Sequence, residues 1–277
     1  MTSLGVALAV DARGPCAMYI VTDSRISWSN GRHWDAGQKT FVSARSPDMF
    51  GFCGDAFFPP VVIRQIIDQV NCDVLFFEGT DSEERHRLFV QILRQAIERQ
   101  SGTPMNNFSI FHGARDAEFM HSRFRLWETC ALVDKKTKKV SFADEEKDLV
   151  GDHSYFVHLD GTGANYVKRR GREWIDTNAE GTSRAAIWSF CNTLHQGLDA
   201  FSGGAPQLVG IWRKGLARNF GFWWDGKPYL SGSEVPTTGP INNVVWFNHR
   251  FEQCDGLTGK RRSGAARHAK PLPGRLS

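Results

Sequence analysis

The chain has 277 residues, 41% of them apolar and 23% charged, with a formal net charge of +4. Such a composition suits a globular chain that buries its core as one large domain or two small ones; it excludes a helical membrane protein, because no apolar run reaches the roughly eighteen residues of a membrane span. Six cysteines, at positions 16, 53, 72, 130, 191 and 254, form no C-x-x-C or paired Cys/His spacing, so neither a zinc site nor a disulfide framework is indicated and buried free thiols are expected.

In chain order, two apolar, β-prone runs over residues 2–10 and 18–23 flank the polar turn Asp11-Ala12-Arg13-Gly14, which predicts an N-terminal β-hairpin. Counted outward from the turn centre, Thr2 and Asp23 are equidistant, so a hairpin without a bulge sets them side by side. A methionine before a small residue is commonly trimmed. Thr2 would then carry a hydroxyl and a free α-amine, whose ordinary pKa of about 7.7 to 8.0 suits it as that hydroxyl's own general base. The plain alternative is an ordinary Met-Thr start. The first run lacks the basic lead and cleavage site of a signal peptide, so it reads as a retained strand and a cytoplasmic location is expected.

After Ser24-Arg25-Ile26-Ser27-Trp28 comes a polar loop over residues 29–37, then Lys39 at the head of a short strand. A second strand over 49–53 runs into Gly54-Asp55-Ala56. Val61, Val62, Ile66 and Ile67 recur at helical spacing behind Pro59 and Pro60, residues that a first helical turn tolerates. A second helix is predicted from 82 to 100, with Asp81 and Glu84 as a capping box and Leu88, Phe89, Ile92, Leu93 and Ile97 as its apolar stripe. Residues 101–160 read as β-rich, with the charged cluster 144–147 as a loop. Gly161-Thr162-Gly163 turns into a further helix, another follows over 182–198, and strands return from 207. This order predicts an α+β fold with helices on both outer faces of two stacked sheets, a four-layer α-β-β-α sandwich. One domain is assigned to residues 2–235. A C-terminal extension is assigned to 236–277, and its end carries six basic residues from Lys260 onward and no acid, leaving 28 basic against 30 acidic elsewhere. That end reads as a solvated, disordered tail rather than a nucleic-acid or membrane contact.

Several fragments in order resemble the proteasome β-type peptidases, within the N-terminal nucleophile hydrolases. They are the Thr-led hairpin, the sixteen-residue step from Asp23 to Lys39, the stretch from Phe50-Gly51 to Gly54-Asp55-Ala56, the turn Gly161-Thr162-Gly163, and Asp199-Ala200-Phe201-Ser202-Gly203-Gly204. The start at Met1-Thr2, with no propeptide ahead of it, is more like the bacterial HslV peptidase and its Anbu relatives. The resemblance implies a threonine-type endopeptidase: Thr2 as nucleophile, Lys39 lowering its hydroxyl pKa, Asp23 holding that lysine, and the Gly51 N–H stabilising the oxyanion. Thr162, Asp199 and Ser202 would orient the amine and water. Ser27 would pair with substrate backbone, while Ile26, Met49, Cys53 and Phe57 would line an apolar first specificity pocket, implying cleavage after apolar residues. No metal or cofactor is implied. The implied partners are a peptide or unfolded protein as substrate, further copies of the chain in a homo-oligomeric ring, and a separate ATP-driven unfoldase, since the chain has no G-x-x-x-x-G-K-[ST] loop. Two other readings stay open: an amidohydrolase for small amides on the same scaffold, and a non-catalytic ring subunit.

Overall fold

In the computed structural model the described residues are 3–28, 30–100, 106–134, 136–137, 139–237, 241 and 243–268. Thr2 lies outside them. β1 (Ser3–Asp11) and β2 (Gly14–Thr22) form the N-terminal hairpin, and β3 (Ile26–Ser27), just before the predicted polar loop, pairs with β4 (His33–Trp34) within it. β5 (Thr40–Val42) and β6 (Asp48–Gly54) lead into α1 (Phe58–Asn71) and α2 (Ser82–Glu98). β7 (Phe108–Asp116), β8 (Arg123–Val133) and β9 (Val140–Glu146) precede β10 (Tyr155–Gly161), α3 (Ala164–Gly171) and α4 (Ser183–His195). The chain closes with β11 (Gln207–Trp212), β12 (Arg218–Trp224), β13 (Lys227–Leu230), β14 (Ser233–Glu234), β15 (Trp246–Asn248) and β16 (Gln253–Cys254).

Local chemistry accounts for the helix starts. Asp81 caps α2 by accepting the Glu84 N–H at 2.8 Å, and Thr182 caps α4 by accepting the Ala185 N–H at 3.2 Å. Pro59 and Pro60 occupy the first turn of α1, where no intrahelical donor is lost.

Two sheets result. One runs β10-β1-β2-β11-β12-β13-β14, with β15 joined in parallel to β12; the other runs β5-β6-β7-β8-β9. Alternation along β1 divides its side chains between two cores. Leu4, Val6 and Leu8 meet Met18, Ile20, Met49, Phe111 and Leu126 between the sheets, whereas Ala7 and Ala9 face Ile187, Phe190 and Leu194 of α4. On the far side Phe50, Phe52 and Ile110 pack on Ile63, Ile66, Phe89 and Leu93 of α1 and α2. The architecture is therefore the four-layer α-β-β-α sandwich.

Three details differ from the sequence reading. A bulge at Cys16 shifts the hairpin by one residue: Ala9 pairs with Ala17 but Val10 with Pro15. Proline offers no N–H to the ladder, and a bulge is where a strand accommodates it. Leu4 consequently pairs with Thr22, and Ser3 stands opposite Asp23. The charged cluster at 144–147 is not a loop, because β9 runs through Glu146 and Arg125 of β8 clamps that carboxylate with two bonds of 2.6 Å. Strand pairing also continues past residue 235, with Trp246 and Cys254 buried in β15 and β16. Residues 269–277, half of the predicted basic tail, lie outside the described residues; of the other half, Arg261 bridges to Cys254 and the Arg262 N–H donates to the Gln253 carbonyl, so that part is ordered against β16 and not a solvated tail.

Candidate active site

Ser3 joins two hydrogen-bond chains. Its N–H donates to Asp23 Oδ1 at 3.1 Å, and the same oxygen receives Lys39 Nζ at 2.7 Å. Lys39 also donates to the Arg25 carbonyl at 2.5 Å, while Asp23 Oδ2 accepts the N–H groups of Arg25 and Gly203 at 3.1 and 3.0 Å. Asp23 is 0% exposed and Lys39 3%, so the pair is buried with its donors and acceptor matched. On the opposite face of β1, Ser3 Oγ lies 2.7 Å from Ser202 Oγ, Ser202 donates to Asp199 Oδ2 at 2.6 Å, and Thr162 Oγ1 donates to that oxygen too. Asp23, Lys39, Thr162, Asp199 and Ser202 thus converge on the start of β1 from four separate segments of the chain.

Three residues missed by sequence reasoning hold this arrangement. Gln207, wholly buried at the head of β11, accepts the Lys39 N–H at 2.9 Å and donates to the Gly37 carbonyl at 2.7 Å and Ser24 Oγ at 3.0 Å. Arg25 grips Asp35 through Nε and Nη2 at 2.7 and 2.8 Å and reaches the Ala200 carbonyl at 3.0 Å. That fork holds the Asp35 carboxyl below the usual carboxylate range. Its guanidinium lies flat on Gly203, where a Cβ would come within 2.4 Å of Cζ, so the 199–203 turn seats against the loop carrying Lys39. A glutamine opening an otherwise apolar strand was the only signal legible in advance.

Other expected roles are not brought together. Gly51 sits mid-strand between Thr40 and Phe111. Since the neighbouring Phe52 N–H donates to the Lys39 carbonyl at 3.3 Å, strand alternation turns the Gly51 N–H the other way, toward β7, and away from an oxyanion. The physical reason for glycine there is packing: a Cβ would lie 2.5 Å from Ile20 Cγ2 between the sheets. Gly51→Ala is expected to cost about 1 to 3 kcal/mol through overpacking, read as a lower urea midpoint at unchanged slope. Met49 is fully buried in the inter-sheet core, at the other end of β6 from Cys53, and lines no open pocket. Ile26 and Ser27 lie on β3, and Phe57 is 68% exposed just before α1. Cys53 faces a carboxylate, its thiol 2.7 Å from Asp160 Oδ2. The expectation of a wholly apolar pocket is therefore corrected: one lining residue is core and another meets an acid.

The sequence matches no protein-family model and no curated protein. Among solved structures, the chain superposes on the Anbu complex of Pseudomonas aeruginosa, in a helical assembly, with a TM-score of 0.51 at 14% identity, covering 87% of this chain and 89% of that one. Anbu of Yersinia bercovieri, described as an ancestral β-subunit, gives 0.50 at 12% identity, covering 79% and 86%. Eukaryotic HslV of Trypanosoma brucei covers 76% of this chain at 12% identity, with a TM-score of 0.42. At such identities what is shared is the fold, that of the proteasome-like N-terminal nucleophile hydrolases. Among the described residues no helix is long and apolar enough to cross a membrane.

Proposed function

We propose that the protein is an N-terminal nucleophile hydrolase of the threonine type that cleaves peptide bonds, with Thr2 as nucleophile once Met1 is removed. The observation that carries this reading is the meeting of the Asp23–Lys39 ion pair and the Thr162–Asp199–Ser202 hydroxyl chain on Ser3, the residue immediately after Thr2. In the proposed reaction the Thr2 hydroxyl attacks the carbonyl carbon, its proton passes to the α-amine and then to the leaving amine, and water later hydrolyses the ester. Lys39 is assigned the positive charge that lowers the pKa of that hydroxyl. Asp199, through Ser202 and Thr162, orients the amine and the water.

For the oxyanion we assign the N–H of Gly54, which alternation places on the β5 side of β6 beyond the Lys39 carbonyl and which is exposed at the strand end. A homo-oligomer is part of the proposal, in line with the helical assembly of the Anbu complex. An unfoldase partner belongs to the same reading.

Intact mass before and after incubation with a threonine-directed epoxyketone tests it. A chain lacking methionine that gains one inhibitor mass, with no gain in Thr2→Ala, is the expected result. Full-length mass without an adduct would overturn the peptidase reading and favour a non-catalytic subunit.

A further inference from the structure

Beside the Ser3 site, strands of both sheets bring together a second polar cluster. One ligand atom each from Glu128 of β8 and from His158 and Asp160 of β10 lie within 4.8 Å of one another. Both carboxylates are anchored from outside by one oxygen. Lys147 Nζ holds Glu128 Oε2 at 2.8 Å, and the Gly161 N–H donates to Asp160 Oδ1 at 2.6 Å. The other oxygens turn inward: Glu128 Oε1 accepts the Cys130 thiol at 3.4 Å and stands 3.9 Å from His158 Nε2, and Asp160 Oδ2 lies 2.7 Å from the thiol of Cys53, which is 6% exposed.

A separation of 3.9 Å is too long for a hydrogen bond. Two ligands of one tetrahedral zinc ion, each about 2.0 Å from it, stand about 3.3 Å apart, so Glu128 Oε1 and His158 Nε2 would close by about 0.6 Å on binding. Outer groups that fix one oxygen and aim the other are what orients metal ligands in protein sites. A thiol, an imidazole and two carboxylates form a mixed set that suits a borderline transition ion better than magnesium or calcium, which take oxygen ligands.

We propose that Cys53, Glu128, His158 and Asp160 form a zinc(II) site. Binding exchanges the Cys53 S–H bond for a sulfur–metal bond and releases the proton to solvent. Asp160 pairs with Leu4, and Gly161 with Ser3, so the ion would sit at the same open end of the sandwich as the Asp23–Lys39 pair. The four ligands come from three strands at spacings that match no linear motif.

The test is equilibrium dialysis of chelator-treated full-length protein against zinc, together with absorption spectra of the cobalt(II) form. The expected result is about one ion per chain, a thiolate-to-cobalt charge-transfer band, and proton release on binding. Cys53→Ser should abolish the band, and His158→Gln should weaken zinc at least tenfold, whereas the exposed-site control His153→Gln should bind normally. Asp160→Asn serves if Cys53→Ser fails to fold by circular dichroism, and it too should weaken zinc. Absence of stoichiometric binding to the wild type, or unchanged affinity and spectra in the ligand variants, would overturn the proposal. Neither readout depends on hydrolase activity.

Discussion

Lys39→Ala is expected to slow epoxyketone adduct formation at the N-terminal residue by about 10²- to 10³-fold, the range for removing one preorganised hydrogen-bond donor from an active site, and to cost about 3 to 5 kcal/mol of stability. The second figure follows from burial. With Asp23 fully enclosed, deleting its 2.7 Å cationic partner leaves a carboxylate with N–H donors but no counter-charge from Lys39. Lys39→Arg should not rescue, because Nζ fits a compact pocket between Asp23 Oδ1 and the Arg25 carbonyl where a planar fork has no matching acceptors. Asp23→Asn should fail for a different reason: Ser3, Arg25, Gly203 and Lys39 all donate to that carboxylate, so an amide NH₂ would face donors. Urea midpoints and adduct rates by intact mass, taken on the same preparations, separate the two effects. A variant that loses stability but labels at the wild-type rate when folded would remove Lys39 from the chemistry and leave it a structural cation.

Much of this frame was legible because its determinants are local. The hairpin turn, the Asp81 cap, the prolines of α1 and the apolar stripes act over three or four residues, and the structure has them where the sequence puts them. Asp23 and Lys39 were legible only through the family resemblance, in which the sixteen-residue step between them is one of the matching fragments. What escaped depends on a neighbour from elsewhere in the chain. One bulge residue, Cys16, decides whether Thr2 or Ser3 stands opposite Asp23, and counting from the turn cannot register it. Gly51 is glycine because Ile20 fills its space, a fact of sheet stacking that a G-x-x-G-D-A pattern does not contain. Gln207 works through Lys39, Gly37 and Ser24, over 160 residues away in sequence. The same holds for Cys53 and Asp160, paired across the two sheets.

Acid is expected to destabilise the protein through a buried histidine far from this site. His112 Nε2 lies 2.9 Å from Asp48 Oδ1, its Nδ1 lies 3.0 Å from Nδ1 of His86, and its ring stacks on Phe50 at 4.4 Å. Asp48 is also held by Arg85 Nε at 2.9 Å, and His86 continues the chain to Asp144 at 3.1 Å. Burial pulls His112 down from 6.5 to about 4, outweighing the Asp48 hydrogen bond that acts in the opposite direction. The folded state therefore refuses a proton that the unfolded chain accepts. Above pH 6.5 neither form is protonated and the term vanishes; between 6.5 and 4 stability falls as pH falls, by about 3 kcal/mol in all at about 1.4 per unit. Asp48 is lowered as well, with burial opposing the His112 hydrogen bond and the Arg85 charge, but its contribution is lost only in the carboxylate range below that window. Urea midpoints from pH 7.5 to 4.5 should trace this decline. His112→Gln, which keeps a donor for Asp48, should flatten the curve at the cost of a lower plateau. A wild-type curve that stays flat or rises toward acid would mean that His112 keeps its proton in the folded state, and would remove it as the cause of acid destabilisation.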